Sequence, residues 1–263
     1  MLATTKEVDP CIVYKMSNNS NPTIIVPARL ASIRFPRKLL ADAGGKPLII
    51  RTAERISSEV PEYDLYFAVD GNELKNLLEK NGYNVILTPS NLPSGTDRIA
   101  TANKILKKEK VINIQADEPL VTRGHILSLS KAIFREEVSM ATLASEFEAE
   151  NDFMDPNQVK VVTDNNGLAL YFSRAPIPHY RAKHSTWRSE KNVTGTFKHM
   201  GLYAYDRVFL DYFLGSQESE LEKIEKLEQL RALQNGFKIA VEIVKESSIG
   251  IDMPNDLEKI RFE

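Results

Sequence analysis

The segment Val111–Pro119 constrains this chain more than any other. Its apolar residues Val111, Ile112 and Ile114 read as a buried strand, and the run stops at two acids and a proline. Pro119 lacks a backbone donor and restricts Glu118, so the strand ends there. Asp117 is thereby placed at the carboxyl end of a strand, the edge at which open α/β sheets bind ligands. A second isolated acid, Asp252, follows the apolar run 237–244 and precedes a helical pattern. Two carboxylates at strand ends, far apart in sequence, suit a Mg2+ ion carrying a phosphorylated ligand. Each acid alone reads equally well as a turn residue or a helix cap.

Around that segment strand-like and helix-like patterns alternate, as in an α/β fold with a mainly parallel sheet and helices on both faces. Strands are expected at 23–27, 65–69, 84–88 and from 111, and helices at 48–56, 73–81, 96–108 and 125–135. From about residue 138 the pattern changes. The segments 140–144, 159–163, 168–172 and 200–205 read as strands with few helices between them, a mixed β extension of the same sheet within 137–210. Residues 179–198, which hold the only tryptophan, Trp187, read as a long polar loop, a length that usually has a purpose. Leu221–Gln234 has unbroken helical periodicity, with an apolar stripe of Leu221, Ile224, Leu227 and Leu230 and a surface pair Glu222–Lys226. The expected organisation is a flexible N-terminal extension over 1–22 and a single domain over 23–263.

Composition narrows the function. The chain has 34 basic and 36 acidic residues, a net charge of −2, so no long-range attraction to nucleic acid or membrane is built in. One cysteine, Cys11, rules out an internal disulfide and fits a reducing, cytoplasmic setting. No apolar run approaches the roughly 20 residues of a membrane span, and the first twenty residues lack a signal peptide's apolar stretch. Zinc-ligand spacing, a nucleophile elbow, a Walker-A lysine loop and a dinucleotide fingerprint are all missing.

Two loops can carry chemistry. Pro27–Lys38 leaves the first strand at the same sheet edge as Asp117 and holds Arg29, Arg34, Arg37 and Lys38. Clustered cations there suit a polyphosphate, and they equally describe a solvated basic loop. The loop contains no glycine, unlike most loops that cradle phosphate. Pro93–Arg98 lies between a strand and a helix that Thr96 or Asp97 can cap. Its small and hydroxyl residues either offer N–H groups to a base or phosphate, or form a plain turn and cap. By pattern alone His199 is a satisfied semi-buried histidine.

The ordered motifs Pro-Ala-Arg…Arg-Phe-Pro-x-Lys (27–38), Pro-Ser-Gly-Thr-Asp-Arg (93–98), Asn-Ile-Gln-x-Asp-Glu-Pro (113–119), Ala-Leu-Tyr-Phe-Ser-Arg-x-Pro-Ile-Pro (169–178), His-x-Gly-x-Tyr-Ala-Tyr (199–205), Leu-Glu-Gln-Leu-Arg-Ala-Leu (227–233) and Gly-Ile-Asp-x-Pro-x-Asp-Leu (250–257) together resemble the 3-deoxy-manno-octulosonate (Kdo) cytidylyltransferases over about residues 22–263. Sialic-acid relatives share the first motif but not the His-x-Gly-x-Tyr and Leu-Glu-Gln-Leu-Arg segments. The resemblance implies a Rossmann-like nucleotidyltransferase fold whose β extension serves sugar binding and dimerisation. It implies transfer of CMP from CTP to the anomeric hydroxyl of Kdo, or of an analogue such as 8-amino-Kdo, for lipopolysaccharide synthesis, with pyrophosphate released.

The same resemblance implies roles for individual residues. Asp117 and Asp252 would hold Mg2+. Arg29 and Lys38 would bind the triphosphate and steady the leaving pyrophosphate. Ala28, Ser94, Arg98 and Gln115 would place the nucleotide, with Gln115 also reaching the sugar. Arg174, His199, Tyr203, Glu228 and Gln229 would line the sugar pocket, Arg174 and His199 facing its carboxylate. A homodimer is implied as well. The expected chemistry is in-line attack of the anomeric hydroxyl on the α-phosphorus, with the metal bridging phosphate and sugar oxygens. The chain departs from the family pattern at Ile33, where serine or threonine is usual, at Arg37 and Ala116, where glycine is usual, and at Val69 and Gly71 in the segment that is usually Ala-Thr-Asp-Asp. Two readings compete: a cytidylyltransferase for another acidic sugar, and a nucleotide-binding regulator weak in catalysis. Retention of both acids, Arg29 and Lys38 favours the enzyme.

Overall fold

The computed structural model describes residues 21–32, 34–179, 181, 196–245, 248, 250, 251, 253–258 and 260. Its sheet is built from β1 (Thr23–Ala28), β2 (Leu65–Val69), β3 (Asn84–Leu87), β4 (Lys110–Asn113), β5 (Val138–Ser145), β6 (Lys160–Thr163), β7 (Ala169–Ser173), β8 (Thr196–Asp206) and β9 (Lys238–Ile243). The main order is β3-β2-β1-β4-β8-β5-β9. Strands β1 to β4 run parallel, β5 and β9 run parallel, and β8 is antiparallel to both β4 and β5. The mainly parallel α/β sheet expected from the sequence is therefore present.

Burial follows the strand alternation. Ile24 and Val26 of β1 enter the core on one face and Ile25 the core on the other, because successive side chains point to opposite sides. Helices α1 (Leu48–Glu59), α2 (Asn72–Lys80) and α4 (Arg123–Ile133) cover the first face. Helices α3 (Gly95–Leu106), α6 (Arg207–Phe213) and α8 (Gln229–Gln234) cover the second. Shorter helices are α5 (Glu150–Met154), α7 (Glu220–Glu225) and α9 (Pro254–Glu258). Strand β1 has β2 on one side and β4 on the other. The chain order reverses between β1 and β4, so their carboxyl ends frame a crevice of the kind that binds ligands.

Strand β8 organises the second half. Its residues 203–206 pair with β4 and its residues 196–198 pair with β6, while β5 runs along its other edge. Strands β5, β8 and β9 thus continue the main sheet, and the β6–β7 hairpin stands at the far end of β8. The β5–β8 register shifts between Thr142 and Leu143, so β8 bulges around Gly201 and Leu202.

Several elements differ from expectation. The helix expected over 221–234 is two helices, because Lys226 takes a left-handed conformation with φ 53° and closes α7. Ile224, placed in the apolar stripe, is 75% exposed. Glu222 does not pair with Lys226 on the surface. It is buried and pairs with Arg231. Helix α3 is capped by Ser94 and not by Thr96 or Asp97. Strand β8 begins at Thr196, inside the loop expected to reach 198. Helix α6 was not anticipated, since Val208, Phe209, Tyr212 and Phe213 have strand-like composition; Asp206 caps it by accepting from the Phe209 N–H at 2.7 Å. Trp187 lies outside the described residues.

The replaced glycine at position 37 has a physical consequence. Arg37 stands at φ 57°, a region costly for any residue with a Cβ. Its guanidinium bonds Glu73 of α2, and an exposed pair of this kind is worth at most ~1 kcal/mol. Arg37→Gly is expected to stabilise the fold by about 1 kcal/mol. A thermal melt would show this as a rise of about 2–4 °C, and a fall would contradict it.

Candidate active site

The carboxyl end of β1, the amino end of α3 and the chain leaving β4 enclose a cleft of about 130 Å³, lined by Pro27, Ala28, Arg29, Leu92, Ser94, Gly95, Arg98 and Gln115. Five of the six residues expected at the nucleotide, Ala28, Arg29, Ser94, Arg98 and Gln115, meet here from three separate stretches of sequence. Lys38, the sixth, does not line the cleft, and Leu92 joins it unannounced.

Each side chain is held for a local reason. Ser94 caps α3 by accepting from the Asp97 N–H at 3.1 Å and donates its own proton to Asp97 Oδ2 at 2.7 Å. Arg98 is buried and donates to Thr88 Oγ1 at 2.6 Å and to the Pro89 carbonyl at 3.2 Å. Burial lowers its pKa, with Asp70 pulling the other way. Arg98 therefore braces the loop that forms one wall. Gln115 donates to Asn113 Oδ1 at 3.0 Å, which leaves its carbonyl end toward Gly95. Arg29 is exposed at the rim, and no carboxylate among the described residues pairs with it.

Asp117 sits past the end of β4. Lys38, in a short 3-10 turn (Lys38–Leu40), forms an ion pair with Asp117 and donates to the Ile251 carbonyl at 2.5 Å. The Ile251 N–H donates in turn to the Asp117 carbonyl at 3.0 Å. The strand-end acid, the first-loop lysine and the chain immediately before position 252 thus converge. Asp252 itself lies outside the described residues. Among the described residues no group of three metal-binding side chains forms. The Asp117 carboxylate, on the chain that leaves β4 just after Gln115 of the cleft, is an oxygen donor of the kind that fits Mg2+, which keeps waters and substrate oxygens in its shell.

Of the residues expected to line the sugar pocket, His199 and Tyr203 come from β8, and Glu228 and Gln229 from the α7–α8 junction. The Tyr203 hydroxyl donates to Gln229 Oε1 at 3.4 Å, and the His199 and Tyr203 rings lie 5.5 Å apart. Gln229 Nε2 is buried without a partner, a state that native structures resolve with a ligand or water. The two halves are wired together. Asn113 donates to the Tyr205 hydroxyl at 3.3 Å, that hydroxyl meets Thr96 Oγ1 at 3.2 Å, and Thr96 bonds Glu228. Asn113 also bonds Gln115, so a polar chain runs from the cleft to Glu228.

Arg174 is placed differently from expectation. It donates to the carbonyls of Glu225 at 2.8 Å and Pro156 at 3.1 Å. The Glu225 carboxylate accepts from the Ser173 hydroxyl at 2.6 Å and the Arg174 N–H at 2.9 Å. The side chain grips the turn that presents Glu228 and Gln229. Burial pushes the pKa of His199 down to about 3, so its ring is neutral near pH 7 and acts through hydrogen bonds. Burial raises the pKa of Glu228, while the Thr96 hydroxyl pulls it down. Asn113, Tyr205 and Arg231 were given no role in the sequence and Thr96 only that of a possible helix cap, although all four fall inside the quoted motifs. One sequence shows that a motif is present but not which members support the others.

The His199 shift carries a pH signature. An unfolded histidine titrates near 6.5, so the folded state binds fewer protons than the unfolded one as pH falls from about 6.5 toward about 3, and stability drops over that window. His199→Gln is expected to flatten the melting temperature between pH 6.5 and 4.5 relative to wild type. Parallel curves for the two proteins would contradict the burial of this ring.

The fold and cleft are those of a nucleotidyltransferase, and the family model described as "Cytidylyltransferase" matches residues 23–243. A 3-deoxy-manno-octulosonate cytidylyltransferase of Thermodesulfovibrio yellowstonii is 45% identical over 89% of this chain and 94% of its own length. Its counterpart in Geobacter sulfurreducens is 41% identical over 91% and 98%. A solved CMP:2-keto-3-deoxy-manno-octonic acid synthetase complexed with CTP superposes with a TM-score of 0.82 at 33% identity, covering 91% of this chain and 96% of that one. The chain belongs to the 3-deoxy-manno-octulosonate cytidylyltransferase family.

Proposed function

We propose that this chain transfers CMP from CTP to the anomeric hydroxyl of 3-deoxy-manno-octulosonate, releasing pyrophosphate in a Mg2+-dependent reaction. The observation that carries the proposal is the cleft itself. Residues from the 27–38, 93–98 and 113–119 motifs meet there, and hydrogen bonds join them to Glu228 of the 227–233 motif. A nucleotide on one side and a sugar on the other would share that polar chain.

The residues then divide the work. Arg29, exposed and without a carboxylate partner among the described residues, is free to meet phosphate oxygens and stabilise charge on the departing pyrophosphate. Ser94 and Gln115 present polar atoms to the nucleotide, with Ala28 giving close backbone approach. Lys38 holds Asp117 in place. Asp117 and Asp252 would hold Mg2+, which supplies charge neutralisation between two anionic substrates and makes the attacking hydroxyl more acidic. Tyr203, Gln229 and neutral His199 orient sugar hydroxyls by hydrogen bonds, and the sugar approaches in line with the bond to pyrophosphate. We further propose a homodimer acting in the cytoplasm, where CTP is available. Leu170 on β7 is 63% exposed, an apolar site on the hairpin that a second copy would cover; light scattering should give twice the chain mass, and a monomeric mass excludes the dimer.

The activity is tested by pyrophosphate release with CTP against Kdo, 8-amino-Kdo and a sialic acid. Kdo or its 8-amino analogue should give the highest kcat/KM. Preference for the sialic acid would move the chain to another acceptor, and CTP binding without release under any acceptor would make it a regulator. Arg174→Ala, by loosening the turn that carries Glu228 and Gln229, is expected to raise the sugar's KM roughly tenfold while leaving that of CTP within about twofold. An equal effect on both substrates would detach Arg174 from the sugar side.

A further inference from the structure

The β8 bulge contains a hydrogen-bond pattern with one self-consistent proton arrangement. Thr142 of β5 is fully buried. Its Oγ1 lies 2.8 Å from the Leu202 carbonyl, 3.1 Å from the Met200 carbonyl and 3.0 Å from His199 Nε2. A hydroxyl has one proton and accepts through its lone pairs. Two of its three neighbours are carbonyl oxygens, which only accept. If the proton pointed at His199, both carbonyl oxygens would face hydroxyl lone pairs at 2.8 and 3.1 Å with no proton between them. The proton therefore serves the carbonyls, shared or alternating, and the third contact must run from the ring to the hydroxyl.

We propose that Thr142 is a positioning residue that fixes His199 as its Nε2–H tautomer, leaving Nδ1 as an obligate acceptor for a hydroxyl of the bound sugar. Among the described residues no group bonds Nδ1. The ring is further held by Phe172, edge-on at 5.0 Å, and by Tyr203 at 5.5 Å. The same three contacts tie the tautomer to the bulge, since the carbonyls that take the Thr142 proton belong to Met200 and Leu202 on either side of Gly201. A bulge beside a binding site re-aims the strand's side chains, and here it also sets which ring nitrogen carries the proton. This role rests on His199 facing the sugar, as proposed above. The tautomer itself does not.

The test separates the two. Long-range 1H–15N spectra of 15N-histidine protein without substrate, with His199 assigned through His199→Gln, should show an unprotonated Nδ1 and a protonated Nε2. Thr142→Val, which keeps the shape and removes the hydroxyl, should abolish that pattern and raise the KM for Kdo roughly tenfold, with the KM for CTP within about twofold. Thr142→Ser should restore both. A protonated Nδ1 in the wild-type protein overturns the proposal even if Thr142→Val does not fold. So does a Thr142→Val protein that keeps the wild-type spectrum and Kdo KM. An Nε2–H spectrum in a protein that turns over no octulosonate would uphold the tautomer and remove the substrate assignment alone.

Discussion

Replacing Asp117 by alanine is expected to slow pyrophosphate release at saturating CTP and Kdo by roughly a hundredfold to several thousandfold, as loss of a metal ligand removes several kcal/mol from transition-state stabilisation. The same is expected of Asp252→Ala. The structure adds a way to separate chemistry from folding. The Lys38 side chain that pairs with Asp117 is only 12% exposed, so Asp117→Ala also takes a carboxylate away from a largely buried cation, at a further cost in stability. Asp117→Asn keeps an oxygen for Lys38 and the shape of the turn, yet removes the ionic metal ligand. It should melt closer to wild type than Asp117→Ala while losing most of the activity. Turnover within tenfold of wild type in both alanine variants would exclude the assignment of these acids.

The second large effect is on stability. Arg231 donates to Glu222 through Nε at 2.7 Å and Nη2 at 2.6 Å, and each side chain is 8% exposed. The guanidinium also lies 4.1 Å from the centre of the Phe213 ring. Removing one partner of a buried bidentate pair strands the other charge in a poorly solvated site, at a cost of about 3–5 kcal/mol. Arg231→Met should therefore lower the melting temperature by roughly 10 °C. Glu222→Leu with Arg231→Met should recover much of the loss, because an apolar pair of similar volume leaves no stranded charge. Since α8 opens directly after Glu228, the single variant should also raise the sugar's KM. A loss below about 1 kcal/mol would mean the pair is solvated after all.

What the sequence disclosed depended on whether a residue's job was local. The apolar run from Val111 placed Asp117 near the sheet edge, but β4 closes at Asn113, well before Pro119, so Asp117 stands in the turn beyond the strand and the proline is not what ends it. The β1 loop, the Ser94 turn and the Gln115 strand end were each ambiguous alone, and only the sheet order that puts β4 beside β1 brings them into one cleft. The α7–α8 break was hidden for the opposite reason. Leu221, Leu227 and Leu230 keep a helical period, and nothing local to Lys226 announces a left-handed residue. The break is stabilised at a distance, by Arg174 holding the end of α7 and by Arg231 reaching back to Glu222. His199 read as a semi-buried histidine and is one, but the groups that hold its ring, Phe172, Tyr203 and Thr142, are not adjacent to it in sequence and could not be named from it.

The central claim is that one cation joins Asp117 and Asp252 beneath the triphosphate. Crystals grown with CTP and Mn2+ in place of Mg2+, measured at the manganese absorption edge, test it most directly. The expected result is an anomalous peak within coordination distance of both carboxylates and of a phosphate oxygen, with Lys38 moved off Asp117 or sharing it. A peak held by phosphates alone, with the two acids too far apart to reach it, would contradict the account.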